Sequence, residues 1–283
     1  MRCLVTGATG DVGSKVVKRL IERGERPRIF VRDPEKAHAL FGPKVEMCKG
    51  DSSDPASLKP AFESTDAVFL VNSGPEIPRR DQAAARAARE AGVKRVVKLS
   101  SLDVEQGLAI GAWHEKGEAA FRSSGIAFTF IRPSGFMSNL LAWAGSIKAE
   151  GAVRSSTGDG KRAFIHSDDI AAVAVEALTN ARYEGQSLPI TGPEALSFPE
   201  VTARIGAIIR KQLRFEAISD EEAGIRYAAA TGAGPEETEA HVALWRAIRE
   251  GQLGSVTDTV ERILGRKPIS LDKWLEENAA AFC

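Results

Sequence analysis

Thr6-Gly7-Ala8-Thr9-Gly10-Asp11-Val12-Gly13 is the stretch on which the fold turns. It follows the short apolar run Cys3 to Thr6 and leads into Val12, Val16, Val17, Leu20 and Ile21, which recur at helical spacing. A strand period that gives way to a helical one puts the glycines in the turn of a strand-turn-helix unit. Three glycines at this spacing serve a tight turn, close approach of the backbone to a pyrophosphate, and packing of the helix on the strand. The helix start adds N–H groups that favour phosphate oxygens. Gly7, Thr9, Gly10, Asp11, Val12 and Gly13 are therefore the expected phosphate cradle of a dinucleotide.

The alternation continues outward from that unit. Arg28 to Val31, Val45 to Cys48, Ala67 to Val71, Arg95 to Leu99 and Ile126 to Ile131 read as strands. Between them lie helical patterns at Pro34 to Leu40, Ala56 to Phe62, Arg79 to Ala91 and Gly111 to Ser123. Strands separated by helical crossovers predict an α/β fold, a Rossmann-type doubly wound parallel sheet. Beyond Arg132 the character changes. Gly151 to Gly160 is rich in Gly, Ser and Thr and reads as a loop or small hairpin, either a mobile flap or an inert connection. Asp168-Asp169 open a helix, with Asp169 as its N-terminal cap, Ser187 to Ile190 is a last sheet strand, and Pro235 to Glu250 and Val256 to Leu264 are helices. The expected organisation is an NAD(P)-binding core over residues 1–135, completed by about 167–192, with 136–166 and 193–283 forming a small, mostly helical substrate region.

Composition narrows the function classes. Lys+Arg and Asp+Glu balance at 38 each, so no basic excess exists to grip nucleic acid. The most apolar candidate span, Ile170 to Leu178, is interrupted by Glu176 and is rich in alanine, which predicts a buried helix and no membrane crossing. Cys3, Cys48 and Cys283 are odd in number and lack C-x-x-C spacing, so neither disulfides nor a metal site are expected. Met1-Arg2 runs straight into the first strand, which leaves no room for a targeting leader, and a reducing, cytoplasmic setting is expected. A monomer and a homodimer both remain open.

The end of the second strand should read the cofactor ribose. The chain there is Phe30-Val31-Arg32-Asp33-Pro34-Glu35-Lys36. An acidic residue at this place serves a 2′-hydroxyl, whereas a 2′-phosphate needs a cation. Arg32 offers a planar donor fork and Lys36 a second charge, which favours NADPH over NADH. Asp33 keeps the alternative open. Asp51 and Ser52, after the third strand, are expected near the adenine, and Asn72 and Ser73, after the fourth, under the nicotinamide ribose.

At these residues the chain resembles the NmrA-like atypical short-chain dehydrogenase/reductases, close to NADPH-dependent type-2 quinone oxidoreductases and flavin-independent azo-dye and triphenylmethane-dye reductases. The resemblance rests on the glycine-rich opening, Val31-Arg32-Asp33-Pro34, Lys98-Leu99-Ser100-Ser101, Trp113-His114 with Glu118, and Ser124-Gly125-Ile126 leading to Ile131-Arg132-Pro133. Phe136-Met137, Asn139-Leu140, Phe164-Ile165-His166 and Asp169-Ile170-Ala171 extend it. It implies a nucleotide-binding reductase that works without flavin or metal.

Ordinary short-chain reductases carry Tyr-x-x-x-Lys on the helix after the fifth strand, the tyrosine giving a proton to the nascent alkoxide. Counting back from Arg132 puts Ile110 at the tyrosine position and His114 at the lysine position. Neither Tyr183 nor Tyr227 falls in this segment. His114 is the candidate acid. Glu118, four residues on, shares its helix face, and a hydrogen bond between them would raise the imidazole pKa. A purely structural pair is the alternative, and His166 before the Asp168-Asp169 helix start carries the same two readings.

A conjugated acceptor needs an apolar slot. Trp113, Phe136, Met137 and Leu140 are the expected pocket, with Trp143, Tyr227 and Trp245 as further aromatic candidates. The expected function is NADPH-dependent hydride transfer to a quinone, azo compound or similar small molecule. The alternative is a dinucleotide-binding redox sensor without catalysis.

Overall fold

Short runs of apolar residues separated by amphipathic helices build a seven-stranded sheet in the computed structural model, which describes residues 1–283. The strands in chain order are β1 (Cys3–Thr6), β2 (Arg28–Val31), β3 (Glu46–Lys49), β4 (Ala67–Leu70), β5 (Arg95–Leu99) and β6 (Ala127–Pro133). Three short strands follow elsewhere, β7 (Gly135–Phe136), β8 (Ala152–Ser155) and β9 (Lys161–Ile165), before β10 (Gln186–Ile190) returns to the sheet. The sheet order is β10-β6-β5-β4-β1-β2-β3, and the pairs from β6 across to β3 are parallel. Val5 on β1 faces Ile29 on one side and Phe69 on the other. The chain thus winds outward from β1 to β3, then returns to β4 on the opposite side, so the strand order reverses at β1. Such a reversal opens a crevice at the carboxyl ends of the strands, where Rossmann-type sheets take their ligands.

Every residue of β1, β2 and β4 is buried. Parallel strands covered on both faces read as unbroken apolar runs for this reason. At the sheet edge, β3 exposes Met47 and Lys49 alternately. The helices of this part are α1 (Asp11–Glu22), α2 (Pro34–Phe41), α3 (Pro55–Phe62), α4 (Ile77–Glu90) and α5 (Ala109–Arg122). α1 buries Val12, Val16, Val17 and Leu20 as a single stripe.

The chain divides into two compact units. The first comprises Met1–Ser101, Ala112–Pro133 and Ser167–Pro189, and the second Leu102–Gly111, Ser134–His166 and Ile190–Cys283. Residues Leu102–Gly111 cluster with the second unit, although the sequence places them within the dinucleotide core. The second unit adds β11 (Ala195–Ser197) and β12 (Arg214–Ala217), a three-stranded sheet β11-β9-β7 and the pair β12-β8. Its helices are α6 (Ala144–Glu150) and, after α7 (Ser167–Thr179) of the first unit, α8 (Phe198–Ile209), α9 (Asp220–Thr231), α10 (Pro235–Arg249), α11 (Thr259–Leu264) and α12 (Leu271–Asn278). Its core gathers Met137, Val153, Phe164, Val201, Ile248, Trp274 and Phe282.

Two expectations fail here. Gly151 to Gly160 is neither a flap nor a hairpin, since β8 pairs with the distant β12 and β9 with β7 and β11. Val153, Ser156 and Thr157 are buried, and a Cβ on Gly160 would lie 1.9 Å from the Ile248 carbonyl oxygen, so only residues 156–160 are a connection, and it is packed down rather than free. Asp169 is the third residue of α7, inside its first turn, where an acid favours the helix dipole without being the cap.

Candidate active site

The glycine-rich turn of the first unit is a cradle that side chains would fill. Gly7 sits at φ +60°, in the left-handed region, and Gly10 N–H donates to its carbonyl at 2.9 Å. A Cβ on Gly13 would lie 2.2 Å from that same carbonyl oxygen, which is backbone and unable to yield. Thr6 Oγ1 accepts from Val71 N–H at 2.8 Å and so ties the end of β1 to the end of β4. Gly10 is the N-cap of α1 and brings no side-chain cap, which leaves the helix N-terminus to an incoming acceptor. Gly7, Gly10 and Asp11 are exposed and Thr9 half-buried, while Val12 and Gly13 are buried beneath them. These residues fit a pyrophosphate.

At the end of β2 the two candidate ribose readers part company. Asp33 caps α2, its Oδ1 accepting from Lys36 N–H at 3.0 Å. Arg32 and Lys36 are exposed, and neither side chain hydrogen-bonds or ion-pairs with the protein. The carboxyl of Asp51 is held below the usual range chiefly by Ser53, whose N–H and hydroxyl both donate to it at 2.8 Å, with the positive charge of Arg32 acting in the same direction. Ser52 is half-buried beside it, and Ser73 is exposed after β4. Asn72 is different. Its Nδ2 donates to Asp81 Oδ1 at 2.8 Å, so its amide is committed to a buried network.

That network overturns one expectation. His114 does not pair with Glu118. Its Nδ1 lies 3.2 Å from Lys98 Nζ, and Lys98 in turn lies 2.8 Å from Asp81 Oδ2. Burial first, and the Lys98 charge second, push the imidazole well below the ordinary histidine range instead of raising it. With Nδ1 accepting from the ammonium, the ring proton sits on Nε2. Glu118 is taken by stronger donors: Arg132 through Nε at 3.0 Å and Nη2 at 2.6 Å, Arg122 Nη2 at 2.7 Å, and Ser100 Oγ at 2.6 Å. A lysine inside the apolar run Val96-Val97-Lys98-Leu99 was the signal for a buried acidic partner, which sequence reasoning missed.

The second unit holds an aromatic cavity of about 440 Å³. Leu140, Trp143, Tyr227 and Trp245 meet there with Phe164, joined by Phe198, His241 and Arg162, which the sequence did not single out. Trp143 meets Phe198 edge-on with centroids 5.0 Å apart, and Tyr227 stacks on His241 at 4.2 Å. The Tyr227 hydroxyl lies 3.1 Å from His241 Nε2 and donates toward Glu237 Oε1 at 3.4 Å, while His241 Nδ1 donates to the Glu237 carbonyl at 2.8 Å. Burial, with Glu237 nearby, pushes the phenol up to about 12. The other expected pocket residues lie elsewhere. Met137 is wholly buried in the core below, half-buried Phe136 is outside the lining, and Trp113 is buried in the first unit. His166 is buried too, its Nε2 3.4 Å from Glu277 Oε2. No cluster of three or more His, Cys, Asp or Glu is placed to hold a metal ion, and no helix is long and apolar enough to cross a membrane.

Comparison with known proteins shows the family and the fold. The family described as NAD(P)H-binding matches residues 7–181. The chain is 40% identical over 282 residues to a (4-alkanoyl-5-oxo-2,5-dihydrofuran-3-yl)methyl phosphate reductase of Streptomyces griseus, covering 99% of this chain and 98% of that one. It is 37% identical over 287 residues to an NAD(P)H azoreductase of Xenophilus azovorans, again covering 99% and 98%. Among solved structures it is similar to an NADPH-dependent quinone oxidoreductase of Escherichia coli complexed with NADPH, with a TM-score of 0.86, 24% identity, and coverage of 97% of this chain and 99% of that one.

Proposed function

The chain belongs to the NAD(P)H-binding family, and from that premise we propose that it is an NADPH-dependent oxidoreductase that passes hydride, without flavin, to a conjugated, electron-poor acceptor such as a quinone or an azo compound. The observation that carries the reading is the full-length likeness to two reductases. The name of the first describes a ring alkene conjugated to two carbonyls, and that of the second an azo reductase.

Supporting chemistry comes from the chain itself. When bound, NADPH supplies the hydride, and the protein supplies orientation. The open cations Arg32 and Lys36 at the end of β2 suit a 2′-phosphate, and Asp33 is engaged elsewhere. α5 carries no tyrosine, and its buried His114 is held neutral, so reduction of a simple ketone would lack the factor of about 10² to 10⁴ that a positioned acid contributes. Conjugated acceptors spread the negative charge that arrives with hydride and need that help less. The aromatic cavity of the second unit is the slot we assign to the acceptor, with its flat walls of Trp143, Phe198, Tyr227 and Trp245.

The test follows NADPH absorbance with a panel of quinones and azo dyes, using protein whose spectrum lacks a flavin band. Oxidation above the enzyme-free control is expected. Absence of turnover with the whole panel, together with markedly different affinities for NADPH and NADP⁺, would overturn the reading in favour of a sensor.

A further inference from the structure

Arg162 stands on the wall of the aromatic cavity with most of its hydrogen-bonding capacity unused. It lies on β9 and is 7% exposed. Its one ion pair runs from Nη2 to Asp103 Oδ1 at 3.3 Å, and its Nε is buried with no acceptor. A guanidinium brings five donors and no acceptor, and it stays charged at any working pH. Buried polar groups are nearly always hydrogen-bonded, so an orphaned donor at a cavity wall points to an acceptor that arrives from outside. The local backbone is fitted to this side chain. A Cβ on Gly135 would lie 2.6 Å from Arg162 Nε, so the glycine of β7 leaves the guanidinium its place. Among the lining residues no Asp or Glu is present, and Arg162 carries the fixed charge of the wall.

We infer that this cavity takes an acceptor bearing an anionic substituent, a carboxylate or phosphate ester, and that Arg162 determines that specificity. The inference rests on the reading of the cavity as the acceptor's slot. The N–H groups of the guanidinium that Asp103 does not take donate to the oxygens of the acid. Aromatic walls exclude water, which strengthens the attraction relative to an exposed arginine. The conjugated body of the molecule lies among Trp143, Phe198, Tyr227 and Trp245, while the acid group meets the guanidinium.

Binding is measured without turnover, by the quenching of tryptophan fluorescence in the full chain, with 2-naphthyl phosphate, 2-naphthoate and 2-naphthol as probes. In the wild type both anions are expected to bind about tenfold tighter than the neutral naphthol, the scale of a charge-assisted hydrogen bond. Arg162→Met should abolish that preference and leave naphthol binding unchanged, and Arg162→Lys should keep part of it. Equal affinities for the three probes in the wild type would overturn the inference, and this comparison holds even if Arg162→Met fails to fold. A preference that survives Arg162→Met would place the anion elsewhere and also overturn it. Because no hydride transfer is read, an anion preference in a protein that oxidises no NADPH would sustain the subsite and refute the reductase reading alone.

Discussion

Lys98 Nζ lies 2.8 Å from Asp81 Oδ2, and neither side chain has any exposed surface. The pair joins β5 to α4, and Asn72 donates to the other oxygen of the same carboxylate at 2.8 Å. A Cβ on Gly117 would lie 2.0 Å from Asp81 Oδ2, so α5 also closes over this spot. One buried acid thus anchors the loop after β4, strand β5 and two helices of the first unit.

Lys98→Met should therefore be severe. It keeps most of the volume but leaves a carboxylate buried without its cation, which destabilises a protein by about 3 to 5 kcal/mol. Adding Asp81→Leu to Lys98→Met should recover much of the loss, since an apolar pair of similar volume often equals a buried ion pair. Urea unfolding of the two variants checks the sign. A double variant less stable than Lys98→Met would refute the account.

His114 gives the pair a pH dependence. Its pKa is depressed in the folded chain, so below the unfolded value of about 6.5 the unfolded state takes up a proton that the native state refuses. Stability should then fall as pH drops from about 6.5 to about 5, before carboxylates dominate, at up to about 1.4 kcal/mol per pH unit. His114→Gln should flatten that slope and leave stability near pH 8 within about 1 kcal/mol. Unfolding midpoints measured at pH 5, 6, 7 and 8 would decide it, and an unchanged slope in the variant would assign the proton to another group.

How much of this was open to the sequence depends on range. Strand and helix periods are local, so the alternation that builds the β10-β6-β5-β4-β1-β2-β3 sheet was readable, with ends displaced by a residue or two. What failed was partnership at a distance. Ala152 and Val153 look like loop because their neighbours are Gly and Ser, yet β12 pairs with them from Arg214 onward. Arg214–Ala217 itself is short and half-exposed, with nothing in its own sequence to announce a strand. His114 and Glu118 do share a helix, but Arg132 on β6 and Lys98 on β5 settle which partner each one has. The aromatic residues that line the cavity come from positions as far apart as Trp143 and Trp245, and only the fold brings His241 and Arg162 to the same cavity.

Arg32 and Asp33 should separate cleanly. Arg32→Ala removes a free cation and is expected to raise KM for NADPH by about 10- to 100-fold, the range of a charge-assisted hydrogen bond, with NADH unaffected. Asp33→Ala removes the cap of α2 and should lower stability by about 1 kcal/mol while leaving the preference between NADPH and NADH unchanged. Steady-state kinetics with both nucleotides, beside thermal melts, test the pair. If Asp33→Ala shifts the nucleotide preference and Arg32→Ala does not, the assignment of the two residues is reversed.

Gly13 and Gly145 both lie in the first turn of a helix, and alanine should act on them with opposite sign. At Gly145 in α6 an added Cβ meets nothing within 4 Å, so Gly145→Ala is expected to gain up to about 1 kcal/mol from helix propensity and reduced freedom of the unfolded chain. The same propensity gain is available at Gly13 in α1, but there the Cβ would stand 2.2 Å from the Gly7 carbonyl oxygen and 2.7 Å from its carbon. Relief requires the turn to move away from the helix start, and that turn is the proposed pyrophosphate cradle. Overpacking of this kind costs about 1 to 3 kcal/mol, which exceeds the propensity gain. Gly13→Ala should therefore melt lower and bind NADPH at least about tenfold more weakly, whereas Gly145→Ala melts higher and binds as before. Calorimetric titration with NADPH, paired with thermal unfolding of each variant, tests both halves, and nucleotide affinity unchanged in Gly13→Ala would remove the cradle from the binding site.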